Sequence, residues 1–178
     1  GRVAVGGNKN GALPIIAACL LTEQECVIEN VPRIRDVEVM AELVASTGAD
    51  VEWLDRNTLR IRAAGDLTPA VDRALSVRIR ASILLAGPLL ARCGTVVVPP
   101  PGGDVIGRRR IDTHLHAFAA LGAEVAVDRD YTLTAPDGLT GTRFFMDEPS
   151  VTATENAVMA AVLAKGDTTL INAACEPH

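Results

Sequence analysis

Apolar positions come in two periods along this chain, and their order predicts a repeated mixture of helices and strands. Arg2 to Val5 reads as a short β-like opening, and Gly6-Gly7-Asn8 turns it into an apolar stretch, Gly11 to Leu21, whose length suits a largely buried helix. Val27 to Val31 reads as a strand that Pro32 ends. Asp36 can cap the next helix, on which Val37, Met40, Leu43 and Val44 share a face up to Gly48. Asp50 to Leu54 and Thr58 to Arg62 alternate apolar and polar residues around Asp55-Arg56-Asn57, which predicts a hairpin. The order is βαβαββ.

After a polar connector over Ala64 to Asp72 the order starts again. Leu75 to Ile79 suits a strand, Ala81 to Ala91 a buried helix ending near Gly94, and Val96 to Val98 a strand. A helix follows from about Asp112 to Leu121, then a hairpin of Glu124 to Asp128 with Tyr131 to Ala135. Asp36, Gly48-Ala49-Asp50-Val51 and Thr58-Leu59 have counterparts about 75 residues later in Asp112, Gly122-Ala123-Glu124-Val125 and Thr132-Leu133. A third copy opens at Phe144-Phe145-Met146-Asp147 and runs through a helix of about Thr154 to Ala164 to a strand at Thr168 to Asn172. The expected organisation is therefore unit one over 1–63, unit two over 73–136 and a shortened unit three over 142–178. A shortened unit predicts apolar surface without a cover, and with it dimerisation or low stability.

Composition sharpens this picture in three ways. With 48% hydrophobic and 22% charged residues, the 178-residue chain has ample material for a core, which excludes disorder. The net charge of −5 argues against wholesale binding to nucleic acid or an anionic membrane, so any anion site must be local. Cys19, Cys26, Cys93 and Cys175 have no short paired spacing and read as buried free thiols, which favours a reducing cytoplasm. No stretch reaches the roughly 18 apolar residues of a membrane span.

The candidate chemistry gathers in Pro99-Pro100-Pro101-Gly102-Gly103-Asp104-Val105-Ile106-Gly107-Arg108-Arg109-Arg110-Ile111-Asp112. Three prolines and two adjacent glycines force a shaped loop after Val98, carrying one carboxylate just ahead of three arginines. Such a set can grip an anionic substrate beside an acid or base, although on its own it also fits a turn followed by a solvated basic patch. His114 and His116, two apart on a predicted helix, do not share a face, so no metal pair is expected; Asp112-x-His114 reads as packing and capping. No P-loop or dinucleotide fingerprint is present in the sequence.

Several of these stretches together resemble a known family. They are Gly7-Asn8-Lys9-Asn10-Gly11-Ala12-Leu13-Pro14, Arg80-Ala81-Ser82 with Gly87-Pro88-Leu89, the loop Pro101 to Arg109, Ser150-Val151-Thr152-Ala153-Thr154-Glu155-Asn156, and Asn172-Ala173-Ala174-Cys175-Glu176-Pro177. In this order, over essentially the whole chain, they are similar to the UDP-N-acetylglucosamine enolpyruvyl transferases of the enolpyruvate transferase family. The resemblance implies an α+β fold of tandem βαβαββ units, here most of one lobe of an alpha-beta prism whose helices lie inside a shell of sheets. It implies transfer of the enolpyruvyl group of phosphoenolpyruvate to the sugar 3′-hydroxyl with release of phosphate, the first committed step of bacterial peptidoglycan synthesis. No cofactor or metal is implied. The partners implied are the two substrates and a second lobe of the same polypeptide, without which this chain is expected to be inactive.

The resemblance also implies roles for residues. Lys9 would hold the phosphate of phosphoenolpyruvate and the reacting oxygens and Asn10 the sugar, Arg80 matches an active-site arginine, and Arg109 aligns with the loop arginine that contacts phosphoenolpyruvate, with Asp104, Lys9 and Arg109 the expected catalytic residues. Arg110, Ile111, Asp112 and Thr113 align with the segment around the uracil, and Ser150, Val151 and Thr152 with the diphosphate region. Read without the resemblance, Lys9 is an ordinary surface lysine, Asn10 a turn or cap residue and Arg80 a buried ion-pair partner. Asp104 stands where most members carry the cysteine that protonates the enolpyruvyl carbon and is alkylated by fosfomycin, so resistance to that antibiotic is implied. An unperturbed aspartate near pKa 3.9 is ionised at neutral pH, and nearby arginines lower it further. Bound phosphoenolpyruvate and desolvation are what would raise it. Glu148, where some members have a lysine, and Arg110, where a proline is usual, depart from the pattern. They support an alternative, a catalytically silent paralogue that binds a sugar nucleotide as a regulator or partner.

Overall fold

A computed structural model describes residues 1–103 and 110–178. Six helices are described, α1 (Lys9–Ala18), α2 (Arg35–Ser46), α3 (Arg73–Ser76), α4 (Ala86–Cys93), α5 (Asp112–Ala120) and α6 (Val151–Val162). They alternate with eight strands, β1 (Glu25–Ile28), β2 (Asp50–Trp53), β3 (Leu59–Arg62), β4 (Thr95–Val98), β5 (Glu124–Val127), β6 (Tyr131–Thr134), β7 (Arg143–Phe145) and β8 (Thr169–Ile171).

The strands form three small sheets on the outside of a helical interior. The first has the order β1-β3-β2 and the second β4-β6-β5, both wholly antiparallel, while β7 and β8 pair in parallel. The hairpins take the predicted positions, with Val51 opposite Ile61 and Val125 opposite Leu133. Ile61 and Leu133 are buried, as are Val96 and Val98 on β4, so each of these sheets turns one face to the helices and the other to solvent. Arg60 uses the outer face of the first sheet, where its guanidinium meets Glu25, Asp50 and Glu52 at 2.8–3.3 Å. These partners are well exposed, so the cluster fixes the side chain more than it stabilises the fold.

Inside, α4 packs between α6 and β4, and α1 lies against α2. Leu84, Leu85, Leu89 and Leu90 are enclosed, as are Ile16, Leu20, Met40 and Leu43. Gly87 allows α4 to meet α6 closely, since a Cβ there would lie 2.7 Å from the carbonyl oxygen of Asn156. The chain enters α4 from a 3-10 segment, Arg80–Leu85, and leaves it through Gly94 at φ 68.

Several local expectations are overturned. Residues Arg2 to Val5 form no strand, and Val3 and Val5 are almost fully exposed, since among the described residues no neighbouring strand offers them a partner. Leu75 to Ile79 is not a strand either. Asp72 accepts a hydrogen bond from the Leu75 N–H and so caps the single turn of α3, a local bond that overrides the β preference of Val77 and Ile79. The connector before it makes an isolated parallel bridge to β4, with the Val71 N–H donating to Val97 O and the Val97 N–H to Pro69 O. Asp36 lies in the first turn of α2 rather than at its cap, which is Ile34, and α6 begins at Val151 rather than near Thr154. Cys19 is buried but Cys175 is exposed, so burial does not extend to all four thiols. Burial, with Cys26 beside it, pushes the Cys19 thiol up to about 12, leaving it un-ionised at neutral pH. Phe145, Val158, Val162 and Leu163 are exposed around the third sheet and α6. No described helix is long and apolar enough to cross a membrane.

Candidate functional site

Strand β4 ends in the proline run, and Gly102 and Gly103 then seat the chain against the segment leading to Arg80. The Gly102 N–H donates to Ser76 O at 3.1 Å and the Gly103 N–H to Val77 O at 3.3 Å. A Cβ on Gly102 would fall 1.8 Å from Val77 O, and Gly103, at φ 91, would place one 2.9 Å from the Arg80 backbone nitrogen. Only glycine fits both demands. The consequence is that the loop begins beside Arg80. Asp104 and Arg109, expected to be catalytic, lie outside the described residues.

Five of the residues expected to hold substrate come together. Arg80, Arg110, Thr113, Ser150 and Thr152 line one cleft of about 310 Å³, joined by His114 and Glu148. Thr113 and His114 belong to the first turn of α5, and Ser150 and Thr152 to the start of α6, so two helix N-termini border the same space as two guanidinium groups. N-terminal turns carry spare N–H groups and partial positive charge, which suits a phosphorylated ligand. Arg80 donates from Nη2 to the backbone oxygen of Arg110 at 3.1 Å, tying the cleft to the loop's far end, and the Arg110 side chain pairs with Asp112. Thr113 donates to Asp147 Oδ1 at 2.8 Å. That bond, helped by the nearby His116 imidazole, holds the Asp147 carboxyl below the usual carboxylate range. Ser150 caps α6, its hydroxyl accepting from the Ala153 N–H at 3.4 Å.

The other expected residues sit elsewhere. Asn10 and Val151 line a neighbouring cleft of about 190 Å³ that shares Thr152 with the first. Lys9 opens α1, with its ammonium 3.1 Å from Asp36, and does not line the cleft of Arg80. Both side chains of that pair are well exposed, so the contact is weak and ligand phosphate can compete for the lysine. Ile111 is buried in the core, and Asp112 faces Arg110 rather than the cleft lining.

Beneath the cleft is a buried polar network built on His114 and Asn156. His114, 3% exposed, has Nε2 3.1 Å from Thr152 Oγ1 and Nδ1 2.9 Å from Asn156 Nδ2. Asn156 is wholly enclosed, donating to Ile83 O at 2.9 Å and accepting from the Gly87 N–H at 2.9 Å. The polar Asn156 immediately before the apolar run Ala157 to Ala164 was the available signal for it. Burial, and then the Arg80 guanidinium, pushes the His114 imidazole down to about 4. Its unfolded counterpart takes up a proton near pH 6.5. Stability is therefore full above about pH 6.5 and falls as pH drops from there toward 4, by about 3 kcal/mol at most. Urea unfolding over this range should show a steeper acid loss in the parent than in His114→Gln, which lacks the titrating ring.

The chain matches the model of the family described as EPSP synthase (3-phosphoshikimate 1-carboxyvinyltransferase) over residues 1–178. It is 61% identical over 178 residues to a protein of Bradyrhizobium diazoefficiens named UDP-N-acetylglucosamine 1-carboxyvinyltransferase, and 49% identical to one of the same name from Treponema denticola. In both alignments the whole of this chain is covered, against 41% and 42% of the relatives' lengths. Among solved structures it is similar to the enolpyruvyl transferase NikO of Streptomyces tendae, with a TM-score of 0.79 at 23% identity over 96% of this chain and 40% of that one. It is also similar to EPSP synthase of Acinetobacter baumannii, with a TM-score of 0.76 at 17% identity over 100% of this chain and 40% of that one. These two show the same α+β fold, one lobe of an enolpyruvyl transferase. Matched from its first residue to its last, the chain belongs to the EPSP synthase (3-phosphoshikimate 1-carboxyvinyltransferase) family.

Proposed function

We propose that this chain is part of a UDP-N-acetylglucosamine 1-carboxyvinyltransferase, moving the enolpyruvyl group of phosphoenolpyruvate to the sugar 3′-hydroxyl and releasing phosphate. The observation that carries the reading is the meeting of Arg80, Arg110, Thr113, Ser150 and Thr152 in one cleft bordered by two helix N-termini. The name shared by the Bradyrhizobium and Treponema relatives supports the choice of nucleotide. In the reaction the sugar hydroxyl gives up its proton to a base as its oxygen bonds to C2 of phosphoenolpyruvate and an acid protonates C3; the adduct then loses a proton from C3 and, by cleavage of the C2–O bond, inorganic phosphate. Asp104 is the proposed proton donor, with Lys9, Arg80 and Arg109 on the anionic groups and Asn10 on the sugar. Ser150, Val151 and Thr152 serve the diphosphate, and Arg110, Ile111, Asp112 and Thr113 the uracil side. A second lobe, in the length of the relatives that this chain does not span, completes the site, and the enzyme works in the cytoplasm.

One observation favours a second reading. Glu148 lines the same cleft as the two arginines, where its carboxylate repels a diphosphate. A silent paralogue would bind the nucleotide without turning it over. Phosphate release by the intact polypeptide decides: release that requires both substrates together is expected, and nucleotide binding with no release would select the paralogue.

A further inference from the structure

We infer that Asn156 is a positioning residue which, through the tautomer of His114, commits the Thr152 hydroxyl to donate a hydrogen bond to an acceptor oxygen of the ligand in the cleft. The inference rests on the reading of that cleft as a nucleotide diphosphate site. Its starting point is the orientation of one amide. Asn156 Oδ1 accepts from the Gly87 N–H, and Nδ2 donates to Ile83 O, each at 2.9 Å. Turning the amide over would set N–H against N–H and oxygen against oxygen, so two backbone groups fix it. The second Nδ2 hydrogen then points at His114 Nδ1, 2.9 Å away, and that nitrogen must present its lone pair.

A neutral imidazole carries one proton, so in His114 it sits on Nε2. Nε2 in turn donates to Thr152 Oγ1 at 3.1 Å. The threonine oxygen is thereby an acceptor within the protein, and its own hydrogen is left for another partner. No other side chain among the described residues engages that hydroxyl, which lines both the cleft of Arg80 and the neighbouring cleft of Asn10. A hydroxyl held in this sense selects a group that only accepts, such as a diphosphate oxygen, and rejects a donor in the same place. Asn156 touches no ligand. It acts from the core, two hydrogen bonds away.

Two measurements on the intact polypeptide test this. Long-range proton–nitrogen NMR reads the His114 ring without any substrate: a protonated Nε2 with a bare Nδ1 is expected, and a protonated Nδ1 overturns the inference. Calorimetric titration with UDP-N-acetylglucosamine then reads the hydroxyl. Thr152→Val should weaken binding roughly 10- to 100-fold, the effect of losing a donor to a charged oxygen, while Thr152→Ser stays near the parent. In a double-mutant cycle, Asn156→Ala added to Thr152→Val should cost nothing further if Asn156 acts through Thr152. Additive losses would show an independent structural role and overturn the inference. Failure of the parent to bind the nucleotide would instead count against the functional reading, with the ring measurement still deciding the tautomer.

Discussion

Replacing Asp104 with asparagine is expected to lower turnover by roughly 10²- to 10⁴-fold, the usual worth of a positioned general acid. The amide keeps the size and the hydrogen-bonding oxygen of the carboxyl but has no proton to give C3 of phosphoenolpyruvate. Substrate binding should change much less, so the loss belongs in kcat rather than KM. Asp104→Cys should supply a proton donor and, with it, sensitivity to fosfomycin, to which the parent is expected to be indifferent. The physical difficulty is that three arginines follow Asp104 closely in the sequence, and cations near a carboxyl favour its ionised form. The proton therefore has to be retained with the help of the bound substrate's negative charge. Measured against substrate, kcat/KM should fall with rising pH earlier than kcat does, because free enzyme and complex report different protonation states of the same group. Normal turnover in Asp104→Asn would end its role as acid.

The second large effect concerns the scaffold. Phe118 heads the fully enclosed side chains by volume and sits on α5, the helix whose first turn supplies Thr113 and His114. Phe118→Ala should cost about 3–5 kcal/mol of stability, because a cavity is left that the surrounding core fills only partly. Phe118→Leu, which keeps most of the volume, should cost under about 1.5 kcal/mol. Urea unfolding of both variants checks this. An alanine variant within about 1 kcal/mol of the parent would mean that α5 is not anchored by this ring, and the placement of the cleft on it would need another cause.

Much of the fold was legible because its strands alternate and its hairpins are marked. Asp50 to Arg62 and Glu124 to Thr134 pair where the pattern of apolar positions put them. What could not be read depended on partners distant in the chain. Arg2 to Val5 carries a strand-like pattern but has no strand to join among the described residues, and Leu75 to Ile79 loses to the single hydrogen bond by which Asp72 starts α3. The residues of the cleft were legible one by one through their motifs. Their convergence was not, since it needs α5 and α6 packed with their N-termini facing one space. Asn156 stands within a motif yet has no role evident from the sequence, because only the folded chain brings Gly87, Ile83 and His114 to it. Lys9 shows the reverse case: its motif is clear, while in the chain described here its nearest charge is Asp36.

The proposed reaction is tested most directly by the identity of its products. The intact polypeptide is incubated with phosphoenolpyruvate and UDP-N-acetylglucosamine, and the nucleotide and free phosphate are analysed together by mass spectrometry and colorimetry. The expected result is a nucleotide carrying a carboxyvinyl ether at the sugar 3′-oxygen, formed in step with one phosphate for each molecule made. An unchanged nucleotide, with no phosphate released above the level seen without it, would contradict the assignment.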